Sequence, residues 1–146
     1  MSKSAVIIKG DGTGPELVNA MVHVLQECNS KIKLIPCEAG SEWWTKSGGN
    51  SYISDEVWKL LEDSDACFKG PTTTIPTPNA PRSVAVSIRQ RFNLYANVRP
   101  IKTYKNSSNQ LDFICIREAT EGLYSGIEFK IGNDAAIAVR KITRKS

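Results

Sequence analysis

The sequence of 146 residues is poor in the residue types that build zinc sites and disulfide frameworks. It contains one histidine, His23, and four cysteines, none of which forms a CxxC pair. This composition argues against a zinc finger and against a disulfide-stapled fold. We interpret the cysteines as buried thiols in a reducing compartment and His23 as a structural residue. The four are Cys28, Cys37, Cys67 and Cys115.

The sequence also lacks long apolar runs, and it lacks runs of like charge except near its end. No stretch approaches the roughly 20 apolar residues that cross a bilayer. The start passes from MSKS directly into AVII, without an apolar or Arg-rich leader, so we expect a cytoplasmic protein with no membrane segment. The net charge is only +4, from 19 Lys and Arg against 15 Asp and Glu, and we expect no nucleic-acid partner.

What is present is an α/β pattern, with 40% hydrophobic residues to form a core. Ala5–Ile8 predicts a strand, and the string GDGTGPE at residues 10–16 predicts a tight turn that opens a helix. The glycines do not form a dinucleotide fingerprint, because Pro15 stands where the third glycine is needed. The spacing supports only a turn that lets a ligand approach closely.

Two further strands are predicted at Ile32–Ile35 and Ala66–Phe68, with a short helix capped by Ser54 between them. The third strand leads into KGPTTT at residues 69–74. A lysine and three hydroxyls at the carboxyl end of a strand are well placed to contact a polar ligand. The alternative is an exposed loop stiffened by prolines. Helical spacing resumes from Ser83 to Phe92.

The most informative stretch of the sequence is FICIREATEGLYSGIEF, residues 113–129. Its apolar run predicts a buried strand that delivers Arg117 at its carboxyl end, followed by a turn and Tyr124. An arginine and a tyrosine so placed suggest chemistry on an anion. The alternative is a structural ion pair of Arg117 with Glu118 or Glu121. Beyond this stretch, the turn at Gly132 and Asn133 predicts a β-hairpin.

Four motifs occur in the order typical of one enzyme family. They are GDGTGPE, KGPTTT, SVAVSIRQRFNLYANVRP and IREATEGLYSGIEF. The chain resembles the metal-dependent decarboxylating dehydrogenases that act on isocitrate, 3-isopropylmalate and homoisocitrate, but only about their first half. The resemblance implies a parallel or mixed sheet flanked by helices, then the start of a smaller domain with a strand hairpin. We expect residues 1–98 to belong to the large domain and residues 99–146 to the small one.

The resemblance also implies roles for particular side chains. Three arginines would clamp the carboxylates of the substrate, because one bidentate pair cannot fix the orientation of a hydroxy acid. A tyrosine would help to protonate the enol that remains after carbon dioxide leaves. The implied residues are Arg89, Arg99 and Arg117 for the clamp, Tyr124 for protonation, Ser83 and Lys69 beside the substrate, and Thr74 and Thr13 beside the nicotinamide.

The implied cofactors are NAD or NADP and a magnesium or manganese ion. The metal-binding aspartates of the family lie in its second half, and Asp11, Asp112 and Asp134 do not match their motif. The resemblance further implies a homo-oligomer, or assembly with a complementary half, with the segment after Tyr124 acting as a dimer clasp. The expected ligand is a small polycarboxylate.

Several alternatives stay open. Ser83 and KGPTTT favour isocitrate, whereas Val84 and Ala85 keep 3-isopropylmalate or homoisocitrate in consideration. Ala85 and Ala119 also stand where isocitrate-type members commonly have asparagine. The half of the family's sequence that binds the metal ion and the adenosine has no counterpart in this chain. A second interpretation is therefore a noncatalytic or truncated subunit that binds polycarboxylates. A generic α/β domain with a basic rim is a third interpretation.

Overall fold

The computed structural model describes residues 3–48, 50–77 and 80–144, and the contacts divide the chain at Ala85 and Val86 into two compact units. We call them the first unit and the second unit. The predicted division into residues 1–98 and 99–146 concerns the domains of a longer family member and stays a prediction.

The first unit is built on a parallel sheet of three strands in the order β2-β1-β3, consisting of β1 (Ser4–Ile8), β2 (Lys33–Cys37) and β3 (Ala66–Lys69). The β-branched run of β1 explains its central position, because such side chains suit a strand covered on both faces. The predicted strands and their order along the chain are confirmed.

Three helices complete the first unit: α1 (Gly14–Glu27), α2 (Ser41–Ser47) and α3 (Asp55–Glu62). Ser54 caps α3 as predicted, since its hydroxyl accepts a hydrogen bond of 3.2 Å from the Val57 N–H. The sheet and helices bury a set of apolar side chains, each at most 7% exposed. They include Val6, Ile8, Val18, Tyr52, Ile53, Val57 and Leu61.

The second unit consists largely of two antiparallel ribbons. Helix α4 (Val84–Arg91) leads into β4 (Ala96–Lys102), which pairs with β5 (Asp112–Glu118). A 3-10 turn at Leu123–Ser125 precedes the predicted hairpin, formed by β6 (Glu128–Ile131) and β7 (Ala135–Ala138). Gly132 adopts a φ of +59° in the turn of this hairpin, as the sequence predicts.

Two predictions about burial are wrong. The run Phe113–Ile116 is a strand, but Phe113, Ile114 and Ile116 are 48%, 63% and 68% exposed. The strand lies in a two-stranded ribbon, and no second layer formed by the described residues covers it. For the same reason Cys115 is exposed, as is Cys67 on the edge strand β3. Cys28 is also exposed, and Cys37 is partly exposed. All four thiols are free.

No helix in the described part of the chain is long and apolar enough to span a bilayer.

The turn after β1 requires a glycine at position 10. Its φ is +76°, and a Cβ added there would lie 1.9 Å from the carbonyl oxygen of Pro71. Gly10→Ala therefore combines backbone strain with a backbone clash, and we expect it to lower the free energy of unfolding by at least about 2 kcal/mol.

Gly12 provides the matched control in the same turn. Its φ is +59°, but an added Cβ would meet no heavy atom within 4 Å. Gly12→Ala should show only the strain of a positive φ, about 1 kcal/mol. Urea unfolding of both variants checks the difference, and equal losses for the two would contradict the role assigned to Pro71.

Candidate functional site

The second unit places two of the predicted arginines against the phenol ring of Tyr124, which is itself a predicted site residue. Arg117, near the end of β5, donates a hydrogen bond of 2.8 Å from Nη2 to the Tyr124 hydroxyl oxygen. The guanidinium carbon of Arg89, on α4, lies 6.0 Å from the centroid of the Tyr124 ring, and that of Arg117 lies 5.8 Å from it. Both distances are within the range of a cation–π contact. Two positive charges therefore flank Tyr124.

Arg99 lies on the same face of the β4–β5 ribbon as Arg117. Its Nε donates a hydrogen bond of 3.0 Å to Oδ1 of Asn97, and Asn97 is directly opposite Arg117 in the register. Residues at these positions are diagonal neighbours across an antiparallel pair. Arg99 and Arg117 are both exposed on this face, whereas Arg89 on α4 is partly buried.

The proposed structural ion pair of Arg117 with a neighbouring glutamate is not formed within the described residues. The Glu118 carboxylate instead accepts hydrogen bonds from Thr120 N and Oγ1, at 2.7 and 2.6 Å, and from Glu121 N at 2.9 Å. The Glu121 carboxylate accepts from the amide and the hydroxyl of Thr143. Both acidic side chains are used to fold the loop, which leaves Arg117 without a carboxylate partner in this part of the chain.

These contacts also affect the ionisation of Glu118. The Thr120 hydroxyl, aided by the backbone N–H groups of Thr120, Glu121 and Ala119, holds the pKa of the Glu118 carboxyl below its ordinary value. The carboxylate is therefore charged at neutral pH and accepts all three hydrogen bonds.

A surface depression of about 750 Å³ opens beside this loop. Arg117 and Tyr124 line it, and Arg140 adds a second guanidinium from the segment that follows β7. Arg89 and Arg99 are not among the residues that line it. Its lining consists of Arg117, Glu118, Glu121, Gly122, Leu123, Tyr124, Arg140 and Ile142.

The other predicted site residues belong to the first unit. Lys69 ends β3, and its Nζ donates to the carbonyl oxygen of Gly70 at 2.7 Å and to Thr72 Oγ1 at 3.4 Å. Thr74 is exposed in the following loop, and Thr13 is exposed at the start of α1, where its side chain makes no capping bond. Ser83 is partly buried directly before α4. Their predicted roles stay predictions.

Sequence reasoning missed the principal function of Asp11. This side chain is 5% exposed, and its carboxylate accepts backbone N–H groups from Ser41, Glu42 and Thr73 at 3.1, 3.0 and 2.7 Å. It thereby ties the turn after β1 to the start of α2 and to the KGPTTT loop. Gly40 permits this close approach, since a Cβ there would lie 2.5 Å from Oδ2 of Asp11.

The ionisation of Asp11 reflects two opposing effects. Burial raises the pKa of its carboxyl, but the N–H groups of Glu42, Thr73 and Ser41 together outweigh burial and bring the pKa below its ordinary value. The charged form is therefore the one that the fold uses.

The described residues do not offer a metal site. Among residues 3–48, 50–77 and 80–144, no group of three His, Cys, Asp or Glu side chains could hold a metal ion. The side chains present therefore do not fit the divalent cation that the resemblance implies.

Comparisons with known proteins agree with the resemblance. A sequence model described as isocitrate/isopropylmalate dehydrogenase matches residues 4–146. A 3-isopropylmalate/3-methylmalate dehydrogenase of Methanocaldococcus jannaschii is 34% identical over 96% of this chain and 41% of the relative. An isocitrate dehydrogenase [NADP] of Rickettsia bellii is 33% identical over 94% of this chain and 29% of the relative.

The fold comparison gives the same result. The crystal structure of isocitrate dehydrogenase from Methylococcus capsulatus superimposes with a TM-score of 0.83 at 35% identity, covering 98% of this chain and 43% of that one. The predicted α/β fold class, resembling the first half of such a dehydrogenase, is confirmed. The chain spans less than half the length of each of these relatives.

Proposed function

Because the chain belongs to the isocitrate/isopropylmalate dehydrogenase family, we propose that it supplies the carboxylate-binding side of an NAD(P)-dependent decarboxylating dehydrogenase. The substrate class is a 2-hydroxy polycarboxylate, and isocitrate is the first choice. The observation that carries this proposal is the contact of Arg89 and Arg117 with Tyr124 in the second unit.

The arrangement suits a polyanion for a physical reason. A planar guanidinium binds a carboxylate through two parallel hydrogen bonds, and guanidinium groups on separate elements fix its orientation as well. Arg89 lies on a helix and Arg117 and Arg99 on paired strands, so their positions are set by different parts of the backbone. Arg117 has free donors for such a fork, because only Nη2 is used by Tyr124 within the described residues.

Tyr124 is proposed as the proton donor of the reaction. Arg117 donates to the phenol oxygen, so the phenol proton itself is free to point toward a ligand. A bound nicotinamide would supply the hydride acceptor, with Thr13 and Thr74 as its proposed neighbours. The roles proposed for these side chains do not include metal coordination, because the described residues do not fit a metal ion. A cytoplasmic homo-oligomer, or assembly with a complementary half, completes the proposal.

The test uses the purified chain with isocitrate, manganese and either NAD or NADP. We expect no reduction of the nicotinamide, since no metal cluster lies within the described residues. We expect isocitrate at ten times its Kd to stabilise the fold by about 1.4 kcal/mol, which raises Tm by about 4 °C. Differential scanning calorimetry measures this shift, with sodium chloride at equal ionic strength as the control.

The same titration distinguishes the substrates. A larger shift with 3-isopropylmalate or homoisocitrate than with isocitrate would replace the first choice within the same class. An equal Tm in sodium chloride and in all three acids would contradict a carboxylate site. Turnover by the chain alone would contradict the proposal that its active site is incomplete.

A noncatalytic subunit that binds polycarboxylates is the second candidate. It requires only the carboxylate-binding residues and no metal ion. A fusion of the chain to the part of the Methylococcus enzyme that it does not cover distinguishes the dehydrogenase from the noncatalytic subunit. NADH or NADPH formation by the fusion supports the dehydrogenase, and ligand binding without turnover supports the noncatalytic subunit.

A further inference from the structure

The loop between Arg117 and Tyr124 is held by side-chain and backbone hydrogen bonds. Both oxygens of the Glu118 carboxylate are used, by the amide and hydroxyl of Thr120 and by the amide of Glu121. The Gly122 amide then donates to the carbonyl oxygen of Lys141 at 2.7 Å. The loop is therefore fixed at both ends, first by a side chain and then by backbone pairing.

This loop determines where the phenol lies. The chain must reverse between Arg117 and Tyr124 for the Tyr124 hydroxyl to return to the guanidinium that precedes the loop. The reversal is completed by the 3-10 turn, in which the Tyr124 amide donates to the Glu121 carbonyl at 3.3 Å. The Glu118 carboxylate fixes the orientation of the Thr120 and Glu121 amides at the start of this reversal.

We propose that Glu118 is a positioning residue that holds the Arg117–Tyr124 pair in its hydrogen-bonded geometry, and this role in ligand binding rests on the proposed function. Glu118 also lines the depression, but its two oxygens already accept three hydrogen bonds and its negative charge opposes a carboxylate ligand. It therefore acts through the loop and does not bind the substrate.

Glu118→Gln tests the proposal with little change in shape. The amide replaces one acceptor by a donor that faces backbone N–H groups, so at least one hydrogen bond must break. The first readout is the Nη2–H signal of Arg117 in ¹H–¹⁵N spectra of the chain, assigned by its loss in Tyr124→Phe. We expect this signal to disappear in Glu118→Gln and to persist in Glu128→Gln, a control on strand β6.

Thr120→Val is the second variant, in case Glu118→Gln fails to fold. It keeps the carboxylate and removes only the hydroxyl donor, so the signal should weaken without a general change of the spectrum. A full-strength Arg117 signal in either folded variant would overturn the proposal. This readout needs no ligand and so does not depend on the proposed function.

The second readout is the affinity for isocitrate. We expect Thr120→Val, which keeps the negative charge of Glu118, to weaken binding several-fold and to have no further effect in a Tyr124→Phe background, because both changes act on the same pair. Additive losses would overturn the positioning role. If the wild-type chain does not bind isocitrate, the proposed function fails, while the guanidinium signal still decides whether Glu118 positions the pair.

Discussion

Replacing Asp11 with alanine is expected to lower the free energy of unfolding of the chain by about 3 kcal/mol. The substitution leaves the N–H groups of Ser41, Glu42 and Thr73 without their shared acceptor at a site that is only 5% exposed. Hydrogen bonds to a charged group contribute about 1.5 to 3 kcal/mol each, and three bonds to one carboxylate are not additive. Urea unfolding at pH 7 measures the loss.

The effect of pH on this variant has a definite sign. The pKa of Asp11 is lowered in the folded chain, so its contribution is complete above the unfolded value of about 3.9 and is lost as the pH falls through the folded value. The stability difference between wild type and Asp11→Ala should therefore be constant from pH 7 to about pH 5 and shrink below about pH 4.

Asp134→Ala is the matched control, because Asp134 is exposed in the turn of the β6–β7 hairpin. It should change the free energy of unfolding by less than about 0.5 kcal/mol. A loss of less than about 1 kcal/mol in Asp11→Ala would contradict the structural role that we assign to this carboxylate.

The local elements could be predicted because their signals are local. A β-branched run, a proline near a helix start and a serine cap identify β1, α1 and α3 from a few neighbouring residues. The hairpin at Gly132 is equally local. The sequence also predicts that Phe113–Ile116 is a strand. It does not predict that the side chains of this strand are exposed, since an apolar run does not reveal whether a second layer covers it.

The contacts of Asp11 could not be predicted from the sequence for a similar reason. Its partners lie 30, 31 and 62 residues away, and no periodicity links positions at those separations. The contact of Arg117 with Tyr124 spans seven residues and depends on a loop whose geometry is fixed by Glu118. Residue types suggested that these two side chains act together, whereas only the fold shows their hydrogen bond.

Replacing Arg117 with methionine is expected to weaken the binding of isocitrate by about 10- to 100-fold, which corresponds to the loss of charged hydrogen bonds worth about 1.5 to 3 kcal/mol. Methionine keeps an unbranched side chain but has no donor for a carboxylate or for the Tyr124 hydroxyl. Arg117→Lys keeps the charge and loses the planar fork, so we expect a smaller loss than in Arg117→Met, of a few-fold.

Arg144→Met is the matched control, since Arg144 is an exposed arginine of the same unit outside the depression. It removes one positive charge without touching Tyr124. If general attraction between a basic chain and an acid explained binding, Arg144→Met and Arg117→Met would weaken it equally.

The central claim is that the guanidinium groups around Tyr124 form a carboxylate site, and isothermal titration calorimetry of the four proteins with isocitrate tests it most directly. We expect one site with equal Kd in wild type and in Arg144→Met, a higher Kd in Arg117→Lys, and the highest Kd in Arg117→Met. Binding of isocitrate by Arg117→Met as tightly as by wild type would contradict it.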